Sequence, residues 1–179
     1  MFEYDNETIE RILNIEGFDL DNLNLSEIKH VPMHQYKIST KEKPLLLVEN
    51  LQVCIGLYAY SKNFAYAAHL NPVVLRGNEF ICDEHKNIKD CNRVVDLYRE
   101  IIKNKIDNTI YIGLSIGCNP VYKTYKVVEM LNKLIDQLII KLQNIGINAI
   151  KLDVENNHIF IVDTKNENLI VPKNNVLKK

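Results

Sequence analysis

The sequence lacks the features that mark several large classes of protein. Its 22 basic and 23 acidic residues give a formal net charge of −1, so no overall field would attract nucleic acid or an acidic membrane surface. No apolar run approaches the roughly 20 residues that a membrane-spanning helix requires. The opening residues MFEYDNETIE are acidic where a secretory signal carries positive charge and then an apolar run. These absences predict a cytoplasmic protein that neither binds nucleic acid nor inserts into a membrane.

Cysteine, glycine and proline are also scarce. The chain has 179 residues, of which 46% are hydrophobic, and this is enough to bury a core without disulfides. We therefore expect its four scattered cysteines to be reduced thiols. Six glycines and five prolines form no linker or low-complexity segment, and no internal repeat is present. A single domain over residues 1–179 is predicted.

Helical and strand-like segments alternate along the chain. A first helix is predicted in YDNETIERILNIEG, capped by Asn6 and stopped by Gly17, and the next segment, DLDNLNLSEIKH, looks irregular. A second helix is expected from about Asn87, and a third begins near Pro120 and ends near Asn144. The predicted strands lie in VPMHQYKIS, PLLLVENLQVCIGLYAY, FAYAAHLNPVV, NTIYIGLSIG and INAIKLDVENNHIFIVDTKNENLIVP, the last of which holds three. This order predicts an α/β or α+β fold with mixed sheets.

A cysteine and a histidine interrupt the two apolar runs at residues 53–72. If the loop between the strands has an even number of residues, Cys54 and His69 share one face of the hairpin. Their β-carbons would then be roughly 5–8 Å apart. An odd loop would place them on opposite faces. The small neighbours Gly56 and Ala67 would leave room above the pair, which predicts a substrate pocket.

A thiol beside an imidazole is a well-suited nucleophile. The imidazole takes the thiol proton, the thiolate attacks a carbonyl carbon, and the imidazolium then protonates the leaving nitrogen. Backbone N–H groups near Cys54 would hold the oxyanion. The alternative is that Cys54 and His69 are core residues, since cysteine commonly behaves as a small hydrophobe.

The stretch LQVC–IGLYAY–SKN–FAYAAHLNP resembles the CheD family of chemoreceptor glutamine deamidases and the distantly related catalytic domain of cytotoxic necrotizing factor toxins. Their pattern is a strand ending in cysteine, an apolar run, a turn, and a second apolar run ending in histidine, with proline soon after. Cys54 matches the nucleophile and His69 the base. The resemblance covers roughly residues 33–172, leaving 1–32 as an N-terminal helical extension and 173–179 as a tail.

The resemblance implies a four-layer α/β/β/α sandwich and a deamidase that needs neither a metal nor a cofactor. Its substrate would be a protein with an exposed glutamine, such as a chemoreceptor-like helix, which implies a role in chemotaxis. A backbone carbonyl at Val48 would orient the histidine, as in the toxin branch, with the Glu49 side chain as an alternative. Gln52, Asn71 and Ser115 are candidate substrate-binding residues. The structural alternatives are that Asn71 shapes the turn before Pro72 and that Ser115 packs in the core.

The sequence also departs from the family pattern. The family's LGSC is LQVC here, and Val48 stands near the position of a threonine that orients the histidine in chemotaxis deamidases. These departures favour a catalytically silent binding module as a rival. Transglutamination or hydrolysis of a small amide would use the same Cys–His pair.

Three further patterns have simpler explanations. Cys82, His85 and Cys91 are residues of the kinds that bind zinc. A zinc site would need a fourth ligand, from distant Cys118 or His158. GLSIGCNP lacks the Lys-Ser/Thr of a phosphate loop, so its glycines are expected to allow close packing at a strand end. The hairpin carries three tyrosines, which either pack in the core or form a docking patch for a substrate protein: Tyr58, Tyr60 and Tyr66. Core packing is the favoured interpretation.

Overall fold

The computed structural model describes residues 4–76, 79–82, 84–117 and 122–173. The helices in these residues are α1 (Asn6–Glu16), α2 (Glu84–Lys103) and α3 (Tyr122–Asn144), with short 3-10 turns at Leu20–Asn22 and Leu25–Glu27. The strands are β1 (Ile28–His30), β2 (Tyr36–Ile38), β3 (Leu45–Val48), β4 (Ile55–Ser61), β5 (Phe64–Leu70), β6 (Val73–Arg76), β7 (Glu79–Cys82), β8 (Ile110–Ile116), β9 (Ala149–Lys151), β10 (Phe160–Asp163) and β11 (Asn168–Ile170).

Two sheets of mixed strand direction organise the described residues. Sheet A has the order β1-β3-β10-β11, and sheet B has the order β2-β5-β4-β8-β9. The β1–β3 and β8–β9 pairs are parallel, whereas the other pairs in these sheets are antiparallel. Strands β6 and β7 form a separate hairpin. The predicted α+β class with mixed sheets is confirmed.

The ends of α1 follow from local chemistry. Asp5, rather than the predicted Asn6, is the N-cap, because its carboxylate accepts a hydrogen bond of 2.7 Å from the Thr8 backbone N–H. Gly17 closes the helix with φ 80°, a left-handed conformation in which glycine has no steric penalty. Gly146 (φ 88°) follows α3 in the same way, as predicted.

Three segments differ from the sequence-based prediction, one of which is β7, a strand that was not predicted. Helix α2 begins at Glu84, earlier than the predicted Asn87, and the predicted start of α3 at Pro120 lies outside the described residues. The segment predicted to be irregular before residue 31 contains β1, which pairs in parallel with β3. The N-terminal extension therefore contributes a strand to sheet A as well as a helix. The sequence pattern did not predict this strand, because a short edge strand forms through its pairing with a neighbouring strand rather than through its own residue preferences.

Alternation along the strands divides the core into three clusters. One face of sheet B packs against α2 and α3, its other face packs against sheet A, and the outer face of sheet A packs against α1. These clusters are compatible with four layers, and the four-layer stacking stays a prediction of the resemblance. Among the helices that the structure describes, none is long and apolar enough to cross a bilayer.

Candidate functional site

The β4–β5 hairpin brings Cys54 and His69 to the same face of sheet B. Ser61 pairs with Phe64, so the loop has two residues, and the second of them, Asn63, adopts φ 64°. This even loop pairs Gly56 directly with His69. Cys54 lies two residues before Gly56 and is therefore diagonal to His69 on the same face. The predicted parity of the pair is confirmed.

Cross-strand rows define the neighbours of the pair. His69, Gly56 and Ser115 form one row across β5, β4 and β8. Two residues further along, on the same face, the Gly117 backbone N–H donates a hydrogen bond of 3.1 Å to the Cys54 carbonyl. All these residues face sheet A, where Cys54 packs in the inter-sheet cluster. The site therefore lies between the two sheets, at the end of sheet B where β4 begins.

The space directly above Gly56, which was expected from the sequence to be open, is filled by side chains. A β-carbon added at Gly56 would lie 2.4 Å from the Phe160 ring and 3.1 Å from the Leu51 side chain, so these groups fill that space. Cys54 is 4% exposed and His69 is 2% exposed. Neither Cys54 nor His69 lines the surface depressions on α1, on α2, between α2 and α3, or beside the β4–β5 loop.

Gly117 allows the segment that ends in Cys54 to lie directly on β8. A β-carbon at Gly117 would lie 1.1 Å from the Leu51 carbonyl oxygen and 2.4 Å from the Gln52 carbonyl oxygen. Both obstacles are backbone atoms, which rotation of a side chain cannot move away. The sequence-based expectation of close packing at this strand end is confirmed.

The backbone of His69 is anchored on both sides, but its ring is not. Its N–H donates to the Gln35 carbonyl over 3.0 Å, and its carbonyl accepts from the His34 N–H over 2.9 Å. Among the residues that the structure describes, neither ring nitrogen has a hydrogen-bond partner, so the ring is not hydrogen-bonded to the Cys54 thiol. The ring hydrogen bond to the Val48 carbonyl that the resemblance implies is therefore not formed. Val48 is fully buried and lies opposite Phe160 in the β3–β10 register.

Burial sets the charge state of His69. Removal from water lowers the pKa of His69 to about 4, and this outweighs the Glu49 carboxylate, which raises that pKa. Nearby His30 and His34 lower the pKa of His69 further. The imidazole is consequently neutral at pH 7. This is the form that can accept a proton from a thiol.

Glu49 belongs to a network that the sequence did not reveal. Its carboxylate accepts a hydrogen bond of 3.0 Å from the Tyr4 hydroxyl and lies 3.5 Å from His30 Nε2. The Tyr4 and His30 rings are stacked, with 3.9 Å between their centroids. Hydrogen bonding from His30 lowers the pKa of Glu49, helped by Tyr4 and opposed by burial. No local signal links these residues, because they meet only after β1 pairs with β3.

The candidate substrate-binding residues have different environments. Gln52 is exposed on the segment before Cys54, and partly exposed Asn71 places its side-chain nitrogen 3.4 Å from the Met33 sulfur. The buried Ser115 hydroxyl donates to the Asn157 carbonyl over 2.8 Å and accepts from the Asn157 N–H over 3.2 Å. Ser115 therefore fastens the loop before β10, in keeping with the core-packing alternative.

The remaining sequence hypotheses gain little from the structure. Cys118 and the side chains of Cys82 and His85 lie outside the described residues, while the Cys91 sulfur is 3.7 Å from the Met130 sulfur. The part of the chain that the structure describes has no group of three or more metal-ligating side chains. The hairpin tyrosines do not form one patch, since Tyr66 faces α2, opposite to its two neighbours, and all three are buried: Tyr58, Tyr60 and Tyr66.

No protein-family model matches the chain, and no curated protein sequence matches it. A functional hypothesis for the site therefore depends on its geometry and on the hairpin motif.

Proposed function

We propose that the chain is a CheD-like cysteine amidohydrolase that deamidates a glutamine side chain of a protein in the cytoplasm. The observation that carries the proposal is a buried imidazole whose two nitrogens have no hydrogen-bond partner among the described residues, and which lies diagonal to a cysteine on the same sheet face. A buried polar atom without a partner costs roughly 1–3 kcal/mol. Folded proteins have few such atoms, and a catalytic role is one recognised reason for them.

The proposed reaction uses the two side chains in turn. The thiol and the ring are not hydrogen-bonded in the resting chain, so the proposal requires them to come into contact when substrate binds. His69 then accepts the Cys54 thiol proton as the sulfur bonds to the carboxamide carbon. The imidazolium returns this proton to the nitrogen, the C–N bond breaks, and ammonia leaves a thioester. A water molecule, deprotonated by His69, then attacks the thioester carbonyl. The products are glutamate on the substrate and the regenerated thiol, and the sequence of steps requires no metal or organic cofactor.

Substrate would approach from the sheet end where Cys54 lies. The row of Gly56 is covered by Phe160, and the Tyr58 ring would collide with a β-carbon added at Gly113. By contrast, Gln52 is exposed and Asn71 is partly exposed on either side of Cys54. The proposal therefore places the glutamine side chain beside these two residues. Chemoreceptor-like helices are the substrate class that the family resemblance suggests.

The burial of the pair favours a second candidate, a catalytically silent binding module with the same fold. Cys54 and His69 are nearly inaccessible, and the Phe160 ring occupies the predicted pocket. In this candidate the thiol reacts no faster than an ordinary cysteine. Transglutamination and small-amide hydrolysis remain variants of the first candidate, because they share its nucleophile.

Ammonia release tests the proposal directly. The full chain is incubated with receptor-derived helical peptides containing glutamine, and with free glutamine, in parallel with the Cys54→Ala and Cys91→Ala variants. We expect peptide-dependent release that falls more than about 1,000-fold in Cys54→Ala, because the nucleophile is lost, and is unchanged in Cys91→Ala. Absence of release, or release that survives Cys54→Ala, would falsify the deamidase. Iodoacetamide kinetics then identify the silent module by an ordinary thiol rate.

A further inference from the structure

The N-terminal extension lies outside the region that resembles the CheD family, yet it supplies two partners of Glu49. Tyr4 precedes α1, and its hydroxyl donates to the Glu49 carboxylate over 3.0 Å. His30 ends β1, and its Nε2 lies 3.5 Å from the same oxygen. The two rings stack at 3.9 Å, so a single carboxylate oxygen is held by both members of an aromatic pair.

This network is well shielded from water. The His30 side chain is 8% exposed and that of Glu49 is 20% exposed. The His30 Nδ1 atom is buried and has no hydrogen-bond partner within the described part of the chain. Hydrogen bonding from His30 favours the charged carboxylate and lowers the pKa of Glu49. Glu49 is thus a fixed negative charge at neutral pH.

The chain connects this charge to His69 along a short route. Glu49 directly follows Val48, which pairs with Phe160, and the Phe160 ring covers Gly56, the cross-strand partner of His69. On the other side, the residues after His30 run to a bridge between Met33 and His69. The charged and titratable groups that act on His69 are Glu49, which favours its imidazolium, and His30 and His34, which oppose it.

We propose that the N-terminal extension is a working part of the Cys–His site, in which Tyr4 and His30 hold Glu49 as a positioning residue that stabilises the imidazolium form of His69. The role in catalysis rests on the proposed function. The proposed electrostatic coupling does not, because it concerns the resting chain. Each deamidation step that moves a proton onto His69 creates a buried positive charge, and Glu49 would lower the cost of that charge.

The coupling is measured in the full chain by NMR. The His69 ring is titrated over the pH range in which circular dichroism shows the chain folded, with the imidazolium endpoint fixed from free histidine. We expect Glu49→Gln to lower the His69 midpoint by about one pH unit, because a neighbouring negative charge is removed. Tyr4→Phe keeps the stacked ring but loses the hydroxyl, so it should lower the midpoint by a smaller amount.

Glu16→Gln is the matched control, because Glu16 is also an extension carboxylate paired with a histidine, His158. It should leave the His69 midpoint unchanged. A lower unfolding free energy without a His69 shift in Glu49→Gln overturns the inference and means that Glu49 is only structural. A shifted midpoint in a chain that releases no ammonia supports the coupling and removes the deamidase alone.

Discussion

The two faces of sheet B share the same strands but carry different residues. The face toward α2 and α3 is almost wholly apolar and includes Ile55, Leu57, Ala59, Ile110, Ile112 and Leu114. The face toward sheet A carries the Cys54 thiol, the His69 ring, the Ser115 hydroxyl and the glycines of β4 and β8. The helices cover the first face with aliphatic side chains. Backbone and aromatic rings close the second.

This difference indicates where the chain can be altered without unfolding. Each buried aliphatic side chain on the helix-facing side removes apolar area from water, worth about 25 cal/mol per Å². On the opposite face, the two His69 ring nitrogens have no hydrogen-bond partner among the residues described, and the glycines contribute no side-chain packing. We therefore expect most of the stability to reside on one face and the proposed chemistry on the other.

The largest expected difference in unfolding free energy is between truncations of a side chain on one face and on the other. Leu57 is fully buried between Ala68 and Leu114, so Leu57→Ala should lower the unfolding free energy by about 3 kcal/mol. Cys54→Ala, three residues away on the opposite face, should cost about 1 kcal/mol or less, because few atoms are removed. Urea denaturation measures both. Equal losses would mean that the two faces do not differ as described.

Acid should reveal the burial of His69 with the next largest effect. Since the folded-state pKa of His69 is about 4, below its usual 6.5, the unfolded chain binds more protons between these values. The contribution of His69 to the unfolding free energy is therefore fully present above about pH 6.5 and is lost as the pH is lowered toward 4. The expected loss at pH 5 is about 2 kcal/mol. His69→Leu should remove this part of the pH dependence.

Urea denaturation at pH 8 and pH 5 provides the measurement. His158→Gln is the control, because His158 is partly exposed beside Glu16 and its loss should leave the acid dependence largely intact. If His69→Leu retains the full loss of stability between these pH values, the ring is more accessible to water than the structure indicates.

A smaller effect is expected at Ser115. Ser115→Ala removes both hydrogen bonds to the Asn157 backbone, which should lower the unfolding free energy by about 1 kcal/mol. The exposed Ser26→Ala should change it little. Iodoacetamide labelling of the buried Cys54 should become no slower in Ser115→Ala, because lower stability makes the thiol easier to reach. An unchanged unfolding free energy would contradict the structural role of Ser115.

The hairpin could be predicted because its geometry is local. Alternation along β4 and β5 and an even loop suffice to place Cys54 and His69 on one face, with no knowledge of the remaining chain. The Phe160 ring over Gly56 could not be predicted, because it belongs to a strand of the other sheet. The same limit applies to Glu49, whose partners Tyr4 and His30 approach it only through tertiary pairing. Small residues in a strand indicate close approach, but they do not tell whether a substrate or a side chain approaches.

The missing side chain at Gly117 has a mechanical consequence. Because the Leu51 carbonyl oxygen occupies the position of a methyl group, the end of β8 and the segment before β4 must move together. The hydrogen bond between Gly117 and Cys54 couples them at the sulfur-bearing residue itself. We therefore expect a displacement of the β8 terminus to reach the Cys54 backbone through this one hydrogen bond.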